Sequence, residues 1–257
     1  MEPDWQVSAG GKCAGDRKGL DTHMHLMEAF TTLCAASDAE IHRRKLVEMM
    51  DLIISRMVDP ATGCGRNQFD LAFNPIPAIA IRRTWNDERA GDAPATPTDT
   101  TSYGHNVELA WLMREAVATA AIDIKPYLEV IRRLLAHAAE HGVDWEHGGI
   151  YRDGLAGGGP LIKEKEFWQH SEVLVGFLDG VELFNDDRYL DAFEAVWKFV
   201  HKHMIAHEVG EWRVLLNRKG SPIDSNLGNE WKVAYHTGRS MLECAIRLSR
   251  IADRQKS

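Results

Sequence analysis

The sequence predicts an all-α fold built from paired helices, and three observations lead to this fold class. Seven stretches repeat apolar residues with the 3.6-residue period of an α-helix. Helices rich in apolar residues, with His, Glu or Trp near their starts, alternate with charged amphipathic helices. Long irregular segments separate the pairs. The predicted helices span residues 22–36, 39–58, 103–120, 125–141, 166–185, 187–204 and 234–252.

The apolar helices form a coarse repeat. His25, His105, Trp168 and His236 lie near the starts of the first, third, fifth and seventh helices, at separations of 80, 63 and 68 residues. Each step is one helical hairpin, so these four helices point the same way. The pattern predicts an array of helix pairs or an α/α toroid with an inner and an outer ring. In a toroid the inner N-termini gather at one end, where we expect the site.

Local signals set several boundaries. Pro126 suits the first turn of the fourth helix, which closes at Gly142. The long segments 59–101, 143–165 and 205–233 contain short alternating runs that predict β-hairpins, and loops of this length are usually functional. We expect residues 1–257 to form one domain, with residues 1–19 irregular.

Composition excludes several classes of protein. The formal net charge of −8 argues against a nucleic-acid partner, which needs clustered Lys and Arg. No apolar run is long enough to cross a membrane, and the first residues lack the features of a signal peptide. The four cysteines, Cys13, Cys34, Cys64 and Cys244, form no C-x-x-C pair. This usage predicts a reduced, cytoplasmic protein.

The first helix contains "DTHMHLMEAF", in which His25 and Glu28 are three residues apart and share a face. Histidine and carboxylate at this spacing can form half of a metal site, or can have a structural role. No H-E-x-x-H motif or second Glu-x-x-His completes a ligand set, so we expect no metal.

The third and fifth helices carry similar side chains. "SYGHNVELAWLM" places Tyr103 ahead of His105, repeats the His-x-x-Glu spacing with Glu108, and adds Trp111. It fits either a histidine oriented by a carboxylate for proton transfer or a capped helix with a core tryptophan. "KEFWQHSEVLVGFL" places Trp168 four residues before Glu172, on the same helix face. This indole fits either a sugar-binding site or the hydrophobic core.

The seventh helix and the loops complete the candidate set. "NEWKVAYHTGRSMLE" offers Trp231, Tyr235, His236 and Arg239. The loop segments "WEHGGIYRDG" and "HEVGEWRVLLNRKGS" have Trp and Gly residues that could wall a pocket. No G-x-S-x-G elbow, P-loop or dinucleotide fingerprint is present. Four outer-helix histidines are expected at the surface: His137, His141, His201 and His203.

Together these motifs resemble the N-acylglucosamine 2-epimerase / cellobiose 2-epimerase superfamily, whose fold is an (α/α)6 barrel. The resemblance rests on four stretches in family order: "THMHLMEAF", "SYGHNVELAWLM", "FWQHSEVLVGFLDG" and "GEWRVLLNRKG…WKVAYHTGRSMLE". It covers the chain from about residue 20. The first motif and the "YHTGR" ending are closer to the cellobiose epimerase and sugar isomerase branches.

The resemblance implies a role for each matching residue. His105 and His236 match the general acid/base pair, and His25 matches a third histidine linked to ring opening or proton shuttling. Glu108 and Glu172 match carboxylates that orient these histidines. The residues expected to contact the sugar are Trp168, Trp111, Tyr103, Trp231 and Arg239. Phe167 departs from the family, which commonly has a second Trp at this position.

The implied activity is cofactor-independent epimerisation at C2, or aldose–ketose isomerisation, of a free reducing mono- or disaccharide. Two bases remove a proton next to the open-chain aldehyde and return one to a planar enediolate, and histidine suits this work because its ordinary pKa is near 6.5. The alternatives are an (α/α)6 glycoside hydrolase or lyase, and a non-catalytic sugar- or protein-binding chain.

An (α/α)6 barrel has twelve helices, whereas seven are predicted here, so we expect the C-terminal part of the barrel. The resemblance also implies a substrate-contacting arginine in the region before Met1. The inner helices of such a partial barrel are expected to leave an open edge with exposed apolar surface. Three explanations are open: a gene model that starts too late, a true fragment, or a homo-oligomer that completes the ring.

Overall fold

The structure is a computed structural model that describes residues 17–37, 39–78, 97–228, 232–254 and 256. Its seven α-helices within these residues confirm the predicted ones to within a few residues. They are α1 Leu20–Ala35, α2 Glu40–Arg56, α3 Tyr103–Ala120, α4 Leu128–His137, α5 Phe167–Phe184, α6 Asp187–Phe199 and α7 Ala234–Arg254. A 3₁₀ turn, Lys125–Tyr127, precedes α4, and π turns end the outer helices at Ala138–Gly142 and Val200–Met204. No helix in the described ranges is long and apolar enough to cross a membrane.

The helices alternate between two layers, as the repeat predicts. α1, α3, α5 and α7 pack side by side in sequence order, and α2, α4 and α6 pack outside them. Thirteen of the eighteen residues of α3 and the first fourteen residues of α5, Phe167–Gly180, are buried. Only one face of α7 is buried, at Thr237, Ser240, Cys244 and Arg247. The middle inner helices are therefore core elements, whereas α1 and α7 are edges.

Short antiparallel strands occupy the long loops and confirm the expected hairpins. The ten strands in the described part of the chain are β1 Lys18–Gly19, β2 Gln68–Phe69, β3 Thr100–Ser102, β4 Asp153–Leu155, β5 Pro160–Ile162, β6 Lys165–Glu166, β7 Ile205–Ala206, β8 Glu211–Trp212, β9 Leu215–Leu216 and β10 Pro222–Asp224. Their sheets are β1-β2, β3-β4-β5, β10-β9-β6 and β7-β8.

Three of these strands position the inner helices. β1, β3 and β6 lead directly into α1, α3 and α5, and each pairs with a strand from a later loop. The register joins Lys18 to Phe69, Ser102 to Asp153, and Glu166 to Leu215. These pairings hold the N-terminal ends of the inner helices at one end of the molecule.

Ion pairs lock the inner helices farther along their length. Arg247 of α7 and Arg114 of α3 both bond Asp179 of α5, and Arg247 and Asp179 are almost fully buried. Arg250 adds a bond to Glu182 at 2.8 Å. A buried arginine needs such partners because an unpaired buried charge is costly. The network fixes the axial register of α3, α5 and α7.

Candidate active site

The first turns of the four inner helices bring charged and aromatic side chains into one cluster. α1 contributes His25 and Glu28, α3 contributes His105 and Glu108, α5 contributes Trp168 and Glu172, and α7 contributes Tyr235, His236 and Arg239. The cluster follows from parallel helices whose N-terminal ends meet. It unites eight of the ten residues that the sequence predicted for the site, Trp111 included.

Glu172 lies at the centre of this cluster and is fully buried. Its carboxylate accepts hydrogen bonds from His236 Nδ1 at 2.6 Å, from Arg239 at 2.9 Å and from Trp111 Nε1 at 3.0 Å. An ionised carboxylate only accepts, so His236 donates through Nδ1 and its Nε2 is left as the basic nitrogen.

Arg239 connects three helices through carboxylates. Its guanidinium donates to Glu28 of α1, to Glu108 of α3 at 3.3 Å and to Glu172 of α5. The same group stacks on the ring of Trp111, 4.7 Å from the ring centre. Because these partners surround the guanidinium, Arg239 organises the site's carboxylates, and the expectation that it contacts the sugar is not supported by its contacts.

Glu28 forms a second centre, on the α1 side. It accepts from His25 Nδ1 at 3.0 Å, from the Tyr235 hydroxyl at 2.6 and 2.7 Å, and from Arg239. Burial alone would raise its pKa, but the bonds from His25 and Tyr235 and the charge of Arg239 lower the pKa to about 2. Glu28 therefore stays ionised and holds the His25 ring in place.

Glu108 behaves in the opposite way. Burial, and then the neighbouring charge of Glu172, raise its pKa well above the ordinary value in spite of Arg239. This favours the neutral acid. The expectation that Glu108 orients His105 is wrong, because Glu108 bonds Arg239 through one oxygen and its other oxygen has no partner in the described residues.

The two histidines matched to the acid/base pair lie against one indole. The His105 ring centre is 4.6 Å from the Trp168 ring, and the His236 ring centre is 5.7 Å from it. Burial lowers the pKa of His105 to about 4. His105 is therefore neutral near pH 7, which is the state a proton acceptor needs.

A divalent metal ion has little room in this cluster. Glu108, Glu172 and His236 present ligand atoms within 4.8 Å of one another, the one such group found among the described residues. The Arg239 guanidinium, however, already donates to both carboxylates. On Glu172 it bonds the same oxygen, Oε1, as His236 does. A cation there would have to displace a positive charge, so the residues fit a guanidinium better than a metal.

Three of the residues expected to contact the sugar are buried in the structure. Tyr103 is fully buried, stacks on His137 and lies outside the cluster. Trp111 is also buried; its Nε1 donates to Glu172 and its ring stacks against Arg239. Trp168, for which the sequence left a sugar site and the core as alternatives, is only 6% exposed and lies against His105 and His236. Trp231 lies outside the described residues.

Two further histidines have structural roles. His137, expected at the surface, is buried and bonds the carbonyl of Ala156 at 2.9 Å. The fully buried His170 bonds the Glu166 carbonyl through Nδ1 and accepts the backbone N–H of Ile150 at Nε2. Burial lowers the pKa of His170 to about 3, so its ring is neutral and ties α5 to the 143–150 loop.

The family resemblance implied no role for Glu28 and none for the Tyr235 hydroxyl. The signal for Glu28 was present, because His25-x-x-Glu28 repeats the spacing of His105-x-x-Glu108. No local pattern shows that the two carboxylates share Arg239, 211 and 131 residues away in the chain.

Comparison with known proteins agrees with this architecture. The family model "N-acylglucosamine 2-epimerase (GlcNAc 2-epimerase)" matches residues 11–240. A curated relative, cellobiose 2-epimerase of Bacteroides fragilis, is 27% identical over 235 residues, which cover 90% of this chain and 54% of the relative.

Solved structures show the same fold. Cellobiose 2-epimerase from Spirochaeta thermophila superposes with a TM-score of 0.75 at 25% identity, covering 91% of this chain and 53% of that one. D-mannose isomerase superposes with a TM-score of 0.73 at 19% identity, covering 93% and 59%. These neighbours confirm the (α/α)6 toroid.

The chain spans about half the length of the curated relatives it matches. The family model nevertheless covers most of this chain, including all four inner-helix motifs down to Arg239. The chain belongs to the N-acylglucosamine 2-epimerase family.

Proposed function

We propose that this chain carries the proton-transfer site of a sugar 2-epimerase or aldose–ketose isomerase. Its substrate is a free reducing mono- or disaccharide, and the reaction passes through an enediolate. The observation that carries the proposal is the pair of imidazoles, His105 and His236, that flank the indole of Trp168 at 4.6 and 5.7 Å.

The two histidines differ in a way that suits the reaction. His105 is kept neutral by burial, so it can accept the proton at C2. His236 donates Nδ1–H to Glu172, which presents Nε2 to the substrate and stabilises the imidazolium once a proton is taken up. Either residue can then act as base in one direction and as acid in the other.

His25 is the third participant in the proposal. Its side chain is 41% exposed, and its Nδ1 bonds Glu28, so Nε2 is the nitrogen left for a substrate. A histidine at this outer position can move a proton on a sugar ring oxygen and so help the ring to open.

The site of reprotonation decides the product. Return of the proton to C2 gives the epimer, whereas delivery to C1 gives the ketose. The same residues support both outcomes, and the relatives include proteins named cellobiose 2-epimerase and D-mannose isomerase. We therefore propose either epimerisation or isomerisation of a free reducing sugar.

Glycoside hydrolysis fits the site less well. Paired catalytic carboxylates are separated by about 5–5.5 Å in retaining and about 6.5–9.5 Å in inverting enzymes. Glu108 and Glu172 are fully buried, have oxygens within 4.8 Å, and share Arg239. The Glu172 oxygens are already occupied by Trp111, His236 and Arg239, so this pair is not free to act as acid and nucleophile on a glycosidic bond.

The cellular setting is also proposed. Cys34, Cys64 and Cys244 are free thiols among the described residues, as expected in a reducing compartment. We infer a cytoplasmic protein that acts on small sugars.

The experiment is to incubate the chain with mannose, glucose or cellobiose and to identify products by NMR. We expect the C2 epimer or the ketose. His105→Ala and His236→Ala should each lower the rate by about 10²–10⁴-fold without changing the circular dichroism spectrum. His201→Ala, on the exposed side of the π turn after α6, is the matched control and should retain full activity. Absence of any product from all three sugars would contradict the proposal.

A further inference from the structure

Trp145 differs from the other tryptophans that the structure describes. Its indole is 57% exposed, whereas Trp111, Trp168 and Trp212 are buried and Trp197 is partly buried. The sequence suggested that its loop walls the catalytic pocket, but Trp145 contacts none of the clustered histidines. A single exposed apolar side chain is ordinary on a protein surface, so it is the two grooves lined by the Trp145 side chain that indicate a binding surface.

Trp145 lines two surface grooves. One has a volume of about 500 Å³ and is lined by Trp145 with Asp191, Glu194, Lys198 and Lys202. The other has a volume of about 470 Å³ and is lined by Trp145 with Glu140, Arg188 and Asp191. Both volumes lie in the range of ligand sites, and the acidic and basic side chains are balanced.

The loop that carries Trp145 is firmly held. The buried Asp144 accepts the backbone N–H groups of residues 146 and 147 and bonds Lys165 and Arg218. Gly149 donates to the Ala195 carbonyl of α6 at 3.2 Å. The exposed indole therefore sits on a rigid support, which lowers the entropic cost of binding.

We propose that Trp145 and its two grooves bind a neutral oligosaccharide, with a sugar ring stacked on the indole and neighbouring units lying in the grooves. An indole face packs against the C–H face of a sugar ring, and charged side chains of both signs hydrogen-bond its hydroxyl groups. The balance of charge disfavours polyanions. This site lies apart from the histidine cluster, and its binding does not depend on the proposed C2 chemistry.

The test is calorimetric titration of the full chain with cellotetraitol, whose reduced end cannot open to an aldehyde. We expect measurable binding at millimolar ligand. Trp145→Ala should weaken the binding by about tenfold or more, and Trp145→Tyr, which keeps an aromatic face, should retain most of it. Val209→Ala, an exposed apolar position outside both grooves, is the control and should bind like the parent chain.

Turnover of cellobiose should be the same in the parent chain and in Trp145→Ala. Thermal unfolding should also agree, because the indole is mostly in water. Equal affinity in the parent chain and in Trp145→Ala, or no binding by the parent chain, would overturn the proposal. Loss of cellobiose turnover in Trp145→Ala would overturn the separation of the two sites.

Discussion

Glu172 is the residue on which the geometry of the site depends most. Its carboxylate accepts one hydrogen bond from Trp111 of α3 and two from α7, through His236 and Arg239. A neutral amide in its place would keep the shape but lose the charge that favours an imidazolium at His236.

Glu172→Gln should therefore lower kcat by about 10²-fold, with a smaller change in KM, because the lost interaction strengthens as His236 takes up a proton. Steady-state kinetics measure this. Glu182→Gln is a matched control, since Glu182 is on the same helix and pairs with Arg114 and Arg250 instead. Equal loss of kcat in the two variants would mean that the effect is structural.

Arg239 also governs stability. Its removal would leave the ionised Glu28 without its counter-charge, and would take from Glu108 and Glu172 the donor that they share. Arg239→Ala should cost about 3 kcal/mol of unfolding free energy, the low end for a broken buried pair because the guanidinium is 20% exposed. Denaturant unfolding measures the change. Adding Glu28→Gln, which removes the ionised partner, should restore part of the loss, and no restoration would contradict the role of Arg239 as its counter-charge.

The pKa of His105 gives a pH prediction. An NMR titration of the His105 ring should show a midpoint near pH 4. Between the unfolded value near 6.5 and this midpoint, the unfolded chain binds a proton that the folded chain does not, so falling pH destabilises the fold. This destabilisation is absent above about pH 6.5, grows as the pH falls, and reaches its full size near pH 4. A midpoint at 6 or above would show that the ring is solvated.

At the scale of elements, close helix contacts set the spacing of the histidines. A Cβ at Gly176 of α5 would come within 2.2 Å of Val107 Cγ1 on α3 and 3.0 Å of its carbonyl. The lack of a side chain allows α3 and α5 to approach, and this brings His105 to Trp168.

Gly176→Ala should therefore destabilise the chain by about 1–3 kcal/mol and reduce turnover, although it touches no site residue. Gly238→Ala in α7 is the matched control, because its Cβ would meet only Ala234 at 3.7 Å. That variant should stabilise by about 0.5–1 kcal/mol, as Gly to Ala does inside a helix. Thermal melts compare the two, and a stabilising Gly176→Ala would contradict the tight α3–α5 contact.

Helices could be predicted from sequence, whereas strands could only be placed in general regions. The period of α3 and α5 is carried by many residues, but β1 and β2 have two residues each and pair across about fifty positions, Lys18 with Phe69. Two residues carry no periodicity. The partners of Glu28 and Glu108 were likewise set by tertiary contact, whereas the histidines were visible from their spacing and family order.

At the scale of the whole molecule, the inner layer exposes apolar side chains at both of its edges within the part of the chain that the structure describes. Leu26 and Leu33 of α1 and Leu242 and Ile246 of α7 are between 42% and 69% exposed. This confirms the expected apolar edge, and such surface promotes association or dye binding.

Leu242→Ser with Ile246→Ser should reduce binding of a hydrophobic dye and shift the sedimentation profile toward smaller species. The paired control is Leu71→Ser, which is 60% exposed but lies in a loop, and it should change neither. Unchanged dye binding in the double variant would show that the α7 edge is covered in solution.

The central claim is that two different histidines handle the proton at C2. A single turnover in heavy water, with an ordinary protiated sugar, tests it most directly. Since one residue removes the proton and the other returns one, the first product formed should carry solvent deuterium at C2 while the remaining substrate stays protiated. Product that retains the original hydrogen at C2 would contradict the account and indicate one base that acts on both faces.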